Sequence, residues 1–319
     1  MSTRHPLLEQ AVAMARSGRK EECFALTERA AAAGDAEGLL WLAEVYWVGG
    51  ARPQDLPKAR ELFRRASEAG HPAARVNYTN LLGSGIAGPR DWGTALRRLA
   101  QEAGEDPKRA QAHALVEGME LTASGDPQSL PAGEVLSVSP HVTLFRGAFT
   151  AAECAYLMTC PEREFRPARV GDGKGGERLN PVRTSEEATL HALIEDPAVH
   201  AINRRLAALT GTAADQGEPL QLLRYRPGQE YRAHVDWLDG DNRRSLTALT
   251  YLNEGYGGGE TLFVKTGLRV KGGTGDVLVF RNLAPDRRLD PLSEHAGMPV
   301  TQGVKFIASR WIHERRYLP

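Results

Sequence analysis

The chain has 319 residues, 41% of them hydrophobic and 25% charged, which is enough apolar material for two ordinary globular domains. Forty Lys plus Arg balance forty Asp plus Glu, so net charge supplies no pull toward nucleic acid or anionic lipid, and neither is expected as a partner. The opening MSTRHPLLEQAVAMARSGRK lacks the apolar core of a secretory signal and no stretch matches a membrane span, so a cytoplasmic location is expected.

Residues 1–122 are rich in Ala, Leu, Glu and Arg at helical spacing. A short signature recurs there: Ala33-Gly34-Asp35-Ala36, Ala69-Gly70-His71-Pro72 and Ala103-Gly104-Glu105-Asp106, spaced 36 and then 34 residues apart. That period predicts paired-helix units, with helices such as Ala36 to Val48 and Leu56 to Ala69 separated by a Gly/Pro turn. Such units must stack on one another to bury their apolar faces. With Trp41, Leu42, Tyr46, Gly50, Asp55 and Ala59 in place, the region resembles Sel-type repeats, relatives of tetratricopeptide repeats. The resemblance implies a surface that grips a peptide or protein partner; a helical cap or a self-association element is the alternative. Cys23, Cys154 and Cys160 are an odd set without CxxC spacing, which argues against a disulfide framework or a structural zinc site.

Residues 123–136 are expected to be a linker, because ASGDPQSLPAG from Ala123 to Gly133 cannot continue a helix. The remainder, 137–319, alternates β-branched and polar residues between Gly-rich turns. Helices are expected at Ala151 to Thr159 and Ala188 to Ala208. Strands are expected at Leu220 to Tyr225, Leu246 to Asn253, Thr261 to Val264, Val277 to Phe280 and Val304 to Ile312, forming an antiparallel barrel. The fold class is therefore α+β, with an all-α helical-repeat solenoid followed by the β domain.

In an extended segment His234-Val235-Asp236 puts an imidazole and a carboxylate on one face. A second histidine, His295, lies ten residues before Lys305. Two imidazoles and a carboxylate on one face leave open positions on non-haem Fe(II) for a bidentate co-substrate and dioxygen. A semi-buried Lys305 would pair the far carboxylate of 2-oxoglutarate. By the period of two, Lys305, Ile307, Ser309, Trp311 and His313 share one strand face, and Arg310 points the other way.

LQLLRYRPGQEYRAHVDW, RSLTALTYLNEGYGGGETLF, GDVLVFRN and EHAGMPVTQGVKFIASRW, with Arg183-Thr184-Ser185 upstream, make residues 140–319 resemble the prolyl 4-hydroxylases. The resemblance implies a double-stranded β-helix, or jelly roll, with iron ligands His234, Asp236 and His295 and a 2-oxoglutarate lysine at Lys305. It also implies hydroxyl contacts to the co-substrate from Tyr225 and Thr261, a substrate groove lined by Arg244 and Trp311, and a lid at Gly171 to Asn180. Trp237 departs from the Phe or Tyr usual after the aspartate. The reaction implied is hydroxylation coupled to conversion of 2-oxoglutarate and dioxygen to succinate and carbon dioxide, with ascorbate as an auxiliary reductant. The retained Asp236 favours hydroxylation over halogenation. A prolyl residue of a peptide or protein is the leading substrate; a tailoring hydroxylase of a small molecule and a non-catalytic interaction module are the alternatives.

Overall fold

The computed structural model describes residues 5–160, 165–171, 177–179 and 182–317. The chain divides into two compact units, Met1–His113 with Ala192–Pro197, and Ala114–His191 with Ala198–Pro319.

The first unit is built from α1 (Pro6–Arg16), α2 (Lys20–Ala32), α3 (Ala36–Val48), α4 (Leu56–Glu68), α5 (Pro72–Ser84) and α6 (Trp92–Ala103), and α7 (Pro107–Glu117) straddles its boundary. Asp35, Asp55 and Asp91 start α3, α4 and α6 by accepting hydrogen bonds from Gly38, Lys58 and Thr94 backbone N–H groups. Gly34 and Gly70 end α2 and α4 at φ of +82° and +89°, a left-handed region in which a Cβ is strained. The third copy of the signature differs, since Gly104 ends α6 at an ordinary helical φ of −71°. Leu39, Leu42 and Tyr46 of α3, Leu62 and Phe63 of α4 and Leu81 of α5 share one apolar core, against which Leu193 packs. Asn80 Nδ2 donates to the Leu193 carbonyl at 2.8 Å. The Asn80 amide oxygen accepts from Arg109 at 3.0 Å, and Arg109 is paired with the buried Glu102.

The second unit contains β1 (Gly133–Val138), β2 (His141–Phe145), α8 (Ala151–Thr159), β3 (Arg166–Pro167), β4 (Arg169–Gly171), β5 (Glu177–Leu179), β6 (Glu186–Leu190) and α9 (Pro197–Thr210, whose first residue clusters with the helical unit). There follow β7 (Leu220–Tyr225), β8 (Tyr231–His234), β9 (Arg244–Tyr251), β10 (Gly257–Gly258), β11 (Thr261–Phe263), β12 (Arg269–Val270), β13 (Val277–Arg281), β14 (His295–Gly297), β15 (Val300–Gln302) and β16 (Lys305–His313). The large sheet has the order β1-β2-β13-β9-β16-β7-β6-β3, and the small one β12-β11-β14-β8, with antiparallel neighbours throughout. Leu223, Leu249, Leu278, Phe280 and Ile307 from the large sheet and Phe263 and Val270 from the small one join in a single core. The α+β architecture, helical repeats followed by a jelly roll, is the one expected from the patterns together with the family resemblance.

Two expectations change. The expected helix from Ala188 to Ala208 is instead β6, paired with β7, followed by a helix that begins only at Pro197. Proline has no N–H and its ring clashes with the preceding turn, so it suits a helix's first position and blocks continuation from Ala188. Strand β1 also starts at Gly133, inside the stretch 123–136 expected to be linker, because Gly133 to Val135 pair with Phe145 to Thr143 of β2. Of the expected lid Gly171 to Asn180, residues 172–176 and 180 lie outside the described residues.

Candidate active site

His234 closes β8 and stands directly across from His295, the first residue of β14. The chain then leaves the strand and returns Asp236 between them: its carboxylate oxygens lie 3.6 Å from His234 Nε2 and 3.7 Å from His295 Nε2. The three ligand atoms all fall within 4.8 Å of one another. Each imidazole's Nδ1 faces a carbonyl, Arg232 O at 2.8 Å for His234 and Ser293 O at 3.0 Å for His295. Nδ1 therefore carries the proton, and the Nε2 lone pair points to the common centre. Thr247 Oγ1 donates to Asp236 Oδ2 at 2.7 Å and accepts from Asn282 Nδ2 at 2.9 Å. Burial, reinforced by His295, pulls the His234 imidazole down to about 3, leaving it a neutral donor at pH 7. Burial alone would raise the Asp236 carboxyl, but His295, His234, Arg244 and the Thr247 hydrogen bond bring it below its ordinary value. Two imidazole nitrogens and one ionised carboxylate are the donor set that suits non-haem Fe(II).

These three side chains share a cavity of about 40 Å³ with Tyr225, Thr261, Lys305 and Trp311. The strand period is visible in its wall, since Lys305, Ile307, Ser309 and Trp311 of β16 all line it. Arg310, between them, turns away to donate to Ala214 O at 2.8 Å. Lys305 is buried; its ammonium donates to Gly259 O at 2.7 Å, and among the described residues no carboxylate forms an ion pair with it. Burial pushes its pKa down to about 8. Thr261 Oγ1 lies 3.1 Å from the Tyr251 hydroxyl, and burial raises the Tyr225 phenol.

Arg244 does not line the cavity. Its guanidinium lies over the Trp311 ring, 4.2 Å from the centroid, and is held by Glu218 at 2.5 and 2.9 Å. Glu218 is also 2.8 Å from His313 Nε2. Two polar cavity residues were not singled out in the sequence, Tyr231 and, as an individual residue, Arg183. Tyr231 stacks on His234 with ring centroids 3.5 Å apart. Simple alternation puts residues three apart on opposite faces, but β8 and β14 slip register between His234 and Tyr231, and that bulge restores Tyr231 to the ligand side. Arg183 reaches the cavity while bonding Gln221 at 2.7 Å, and its guanidinium lies 5.0 Å from the Tyr231 ring centroid. Its place in the Arg-Thr-Ser motif was the signal available.

The family model described as the 2OG-Fe(II) oxygenase superfamily matches residues 220–313. A probable prolyl 4-hydroxylase 4 of Arabidopsis thaliana is 33% identical over 206 residues, covering 56% of this chain and 69% of the relative. The chain belongs to the prolyl 4-hydroxylase-like 2OG-Fe(II) oxygenases. A viral collagen prolyl hydroxylase from Paramecium Bursaria Chlorella virus-1, in complex with 2OG, is 27% identical with a TM-score of 0.42, covering 54% of this chain and 95% of that one. An SLR-fold protective antigen of uropathogenic Escherichia coli is 25% identical with a TM-score of 0.31, covering 36% of this chain and 26% of that one. This oxygenase is thus a 2-oxoglutarate-dependent dioxygenase that uses Fe(II), 2-oxoglutarate and dioxygen.

Proposed function

We propose that the protein hydroxylates a prolyl residue of a peptide or protein, with His234, Asp236 and His295 holding Fe(II) and Lys305 pairing the far carboxylate of 2-oxoglutarate. The observation that carries this reading is the placement of a buried lysine without a carboxylate partner among the described residues in the same cavity as the two Nε2 atoms and the Asp236 carboxylate. When bound, the iron supplies the oxidative chemistry that couples 2-oxoglutarate breakdown to C–H hydroxylation.

The protein's own contribution is orientation and exclusion of water. The Arg232 and Ser293 carbonyls fix both imidazole tautomers, and Thr247 fixes the Asp236 carboxylate. Tyr225 and Thr261 offer hydroxyls toward the co-substrate beside Lys305. Trp311 walls the substrate side, with Arg244 packed on its ring. The helical unit is assigned to recruiting the target protein, a task that suits stacked repeats because they present an extended surface.

The test is succinate formation by anaerobically purified, Fe(II)-loaded protein given 2-oxoglutarate and oxygen, with and without proline-containing peptides followed by mass spectrometry. Peptide-stimulated succinate, with a peptide gain of one oxygen atom, is the expected result. Succinate without peptide modification would move the substrate to small molecules, and no succinate would overturn the enzymatic reading. His234→Ala is expected to abolish succinate formation; turnover at the parent rate would refute the ligand assignment.

A further inference from the structure

A second cavity lies elsewhere in the oxygenase unit and has no part in the chemistry above. Along β2 and β13 the even-numbered Val142, Leu144 and Phe280 enter the core, and the odd-numbered Phe145, Val279 and Arg281 face outward. That outer face, together with Leu246 of β9, floors a groove of about 480 Å³. The C-terminal end of α9 forms one wall, and the hairpin closed by the Leu283–Leu289 bridge forms the other. Small-molecule sites commonly measure about 300–1,000 Å³.

The groove's polar side chains are largely occupied already. Thr210 Oγ1 donates to Leu206 O, and Ser245 Oγ donates to Ile312 O. Thr143 and His141 lie within hydrogen-bond distance of each other at 3.3 Å. No carboxylate lines the groove. Asp286, within the hairpin, is paired with Arg288, and Glu314, the partner of the lining Arg287, is paired with Arg243 as well. Arg281 is exposed at the rim and forms no ion pair among the described residues.

We propose that this groove binds a small carboxylate carried on an apolar body, such as a medium-chain acyl or aryl carboxylate, with Arg281 taking the carboxylate. An apolar floor gains from covering hydrocarbon, and a guanidinium offers a carboxylate two parallel hydrogen bonds. A peptide fits less well, because its backbone N–H and C=O groups would lose water where the lining hydroxyls are already engaged. The proposal does not depend on the iron assignment.

Octanoate is the probe, titrated calorimetrically into the full chain with 2-oxoglutarate at saturation so that the iron cavity is closed to it. Saturable octanoate binding is expected, at least about tenfold tighter than binding of octanol, and at least about tenfold weakened in Arg281→Gln. Ala284→Trp, which narrows the groove from the hairpin side, is expected to remove binding while succinate formation continues at the parent rate. His234→Ala is expected to bind octanoate as the parent does. Absence of binding to the parent protein, equal binding of octanol, an unchanged Arg281→Gln, or loss of binding in His234→Ala would each overturn the proposal; should Ala284→Trp not fold, the Arg281→Gln result decides.

Discussion

Lys305 concentrates the physics of the site in one side chain. Buried between the sheets and donating to the Gly259 carbonyl, its ammonium is destabilised to a pKa of about 8, against an ordinary value of about 10.4. The folded pKa lies below the unfolded one, so the burial penalty is fully present below about pH 8. It is relieved as pH rises toward about 10.4, and intrinsic stability should rise across that window. Co-substrate affinity should move the other way, because a carboxylate is attracted only to the charged form. Calorimetric titration of 2-oxoglutarate from about pH 7 to about pH 9.5 should show affinity falling by up to about tenfold per pH unit once the lysine deprotonates. An affinity flat across that range would show that Lys305 does not meet the carboxylate. Lys305→Ala should weaken 2-oxoglutarate binding on the order of a hundredfold, since an unpaired buried charge costs several kcal/mol; unchanged binding would remove its assigned role.

Individual elements show what pattern could and could not reveal. The face of β16 was legible because an uninterrupted strand obeys a period of two, and Lys305 and Trp311 accordingly line one cavity. The pairing of His234 with His295 was legible as chemistry but not as geometry, since it depends on the long-range register of β8 with β14. Tyr231 escaped for the same reason: a bulge changes which residues share a face, and a single sequence does not mark where one strand slips against another. Ala188 to Leu190 read as the start of a helix because Ala and Leu favour it, yet pairing with β7 overrides that local preference. The turn entering β13 illustrates a constraint visible only in three dimensions. Gly275 has φ of +87°, donates to Tyr251 O and accepts from Phe149 N–H, and a Cβ there would sit 1.9 Å from Phe149 O. Gly275→Ala should therefore cost about 2–4 kcal/mol. Urea unfolding is the check, with a lower midpoint at similar slope expected and an unmoved midpoint refuting the constraint.

For the whole molecule, the change of grammar from a 34–36-residue helical period to alternating strands was readable because the two architectures impose different spacings on apolar residues. The composition of the helical unit was less readable, for it includes Ala192–Pro197, a segment that follows β6 in sequence. No local signal announces this, because the contacts are long-range: among them are a hydrogen bond from Asn80 to Leu193 O and the packing of the Leu193 side chain, more than a hundred positions later. The consequence can be measured in the full chain. Asn80→Ala removes the donor to Leu193 O and should cost the helical unit about 1–2 kcal/mol. Leu193→Ala, which removes partly buried apolar contact, should cost about 1–3 kcal/mol. Both variants loosen the hold on the same residue, 193, one through its backbone carbonyl and one through its side chain, so the double variant should lose less than the sum of the single losses. Thermal melting followed by far-UV circular dichroism reads the helical transition, while succinate formation at a temperature well below it reports on the iron site. A lowered helical transition with preserved turnover, and sub-additivity in the double variant, is the expected outcome. If Leu193→Ala leaves the helical transition where it was, residues 192–197 are not part of that unit's core.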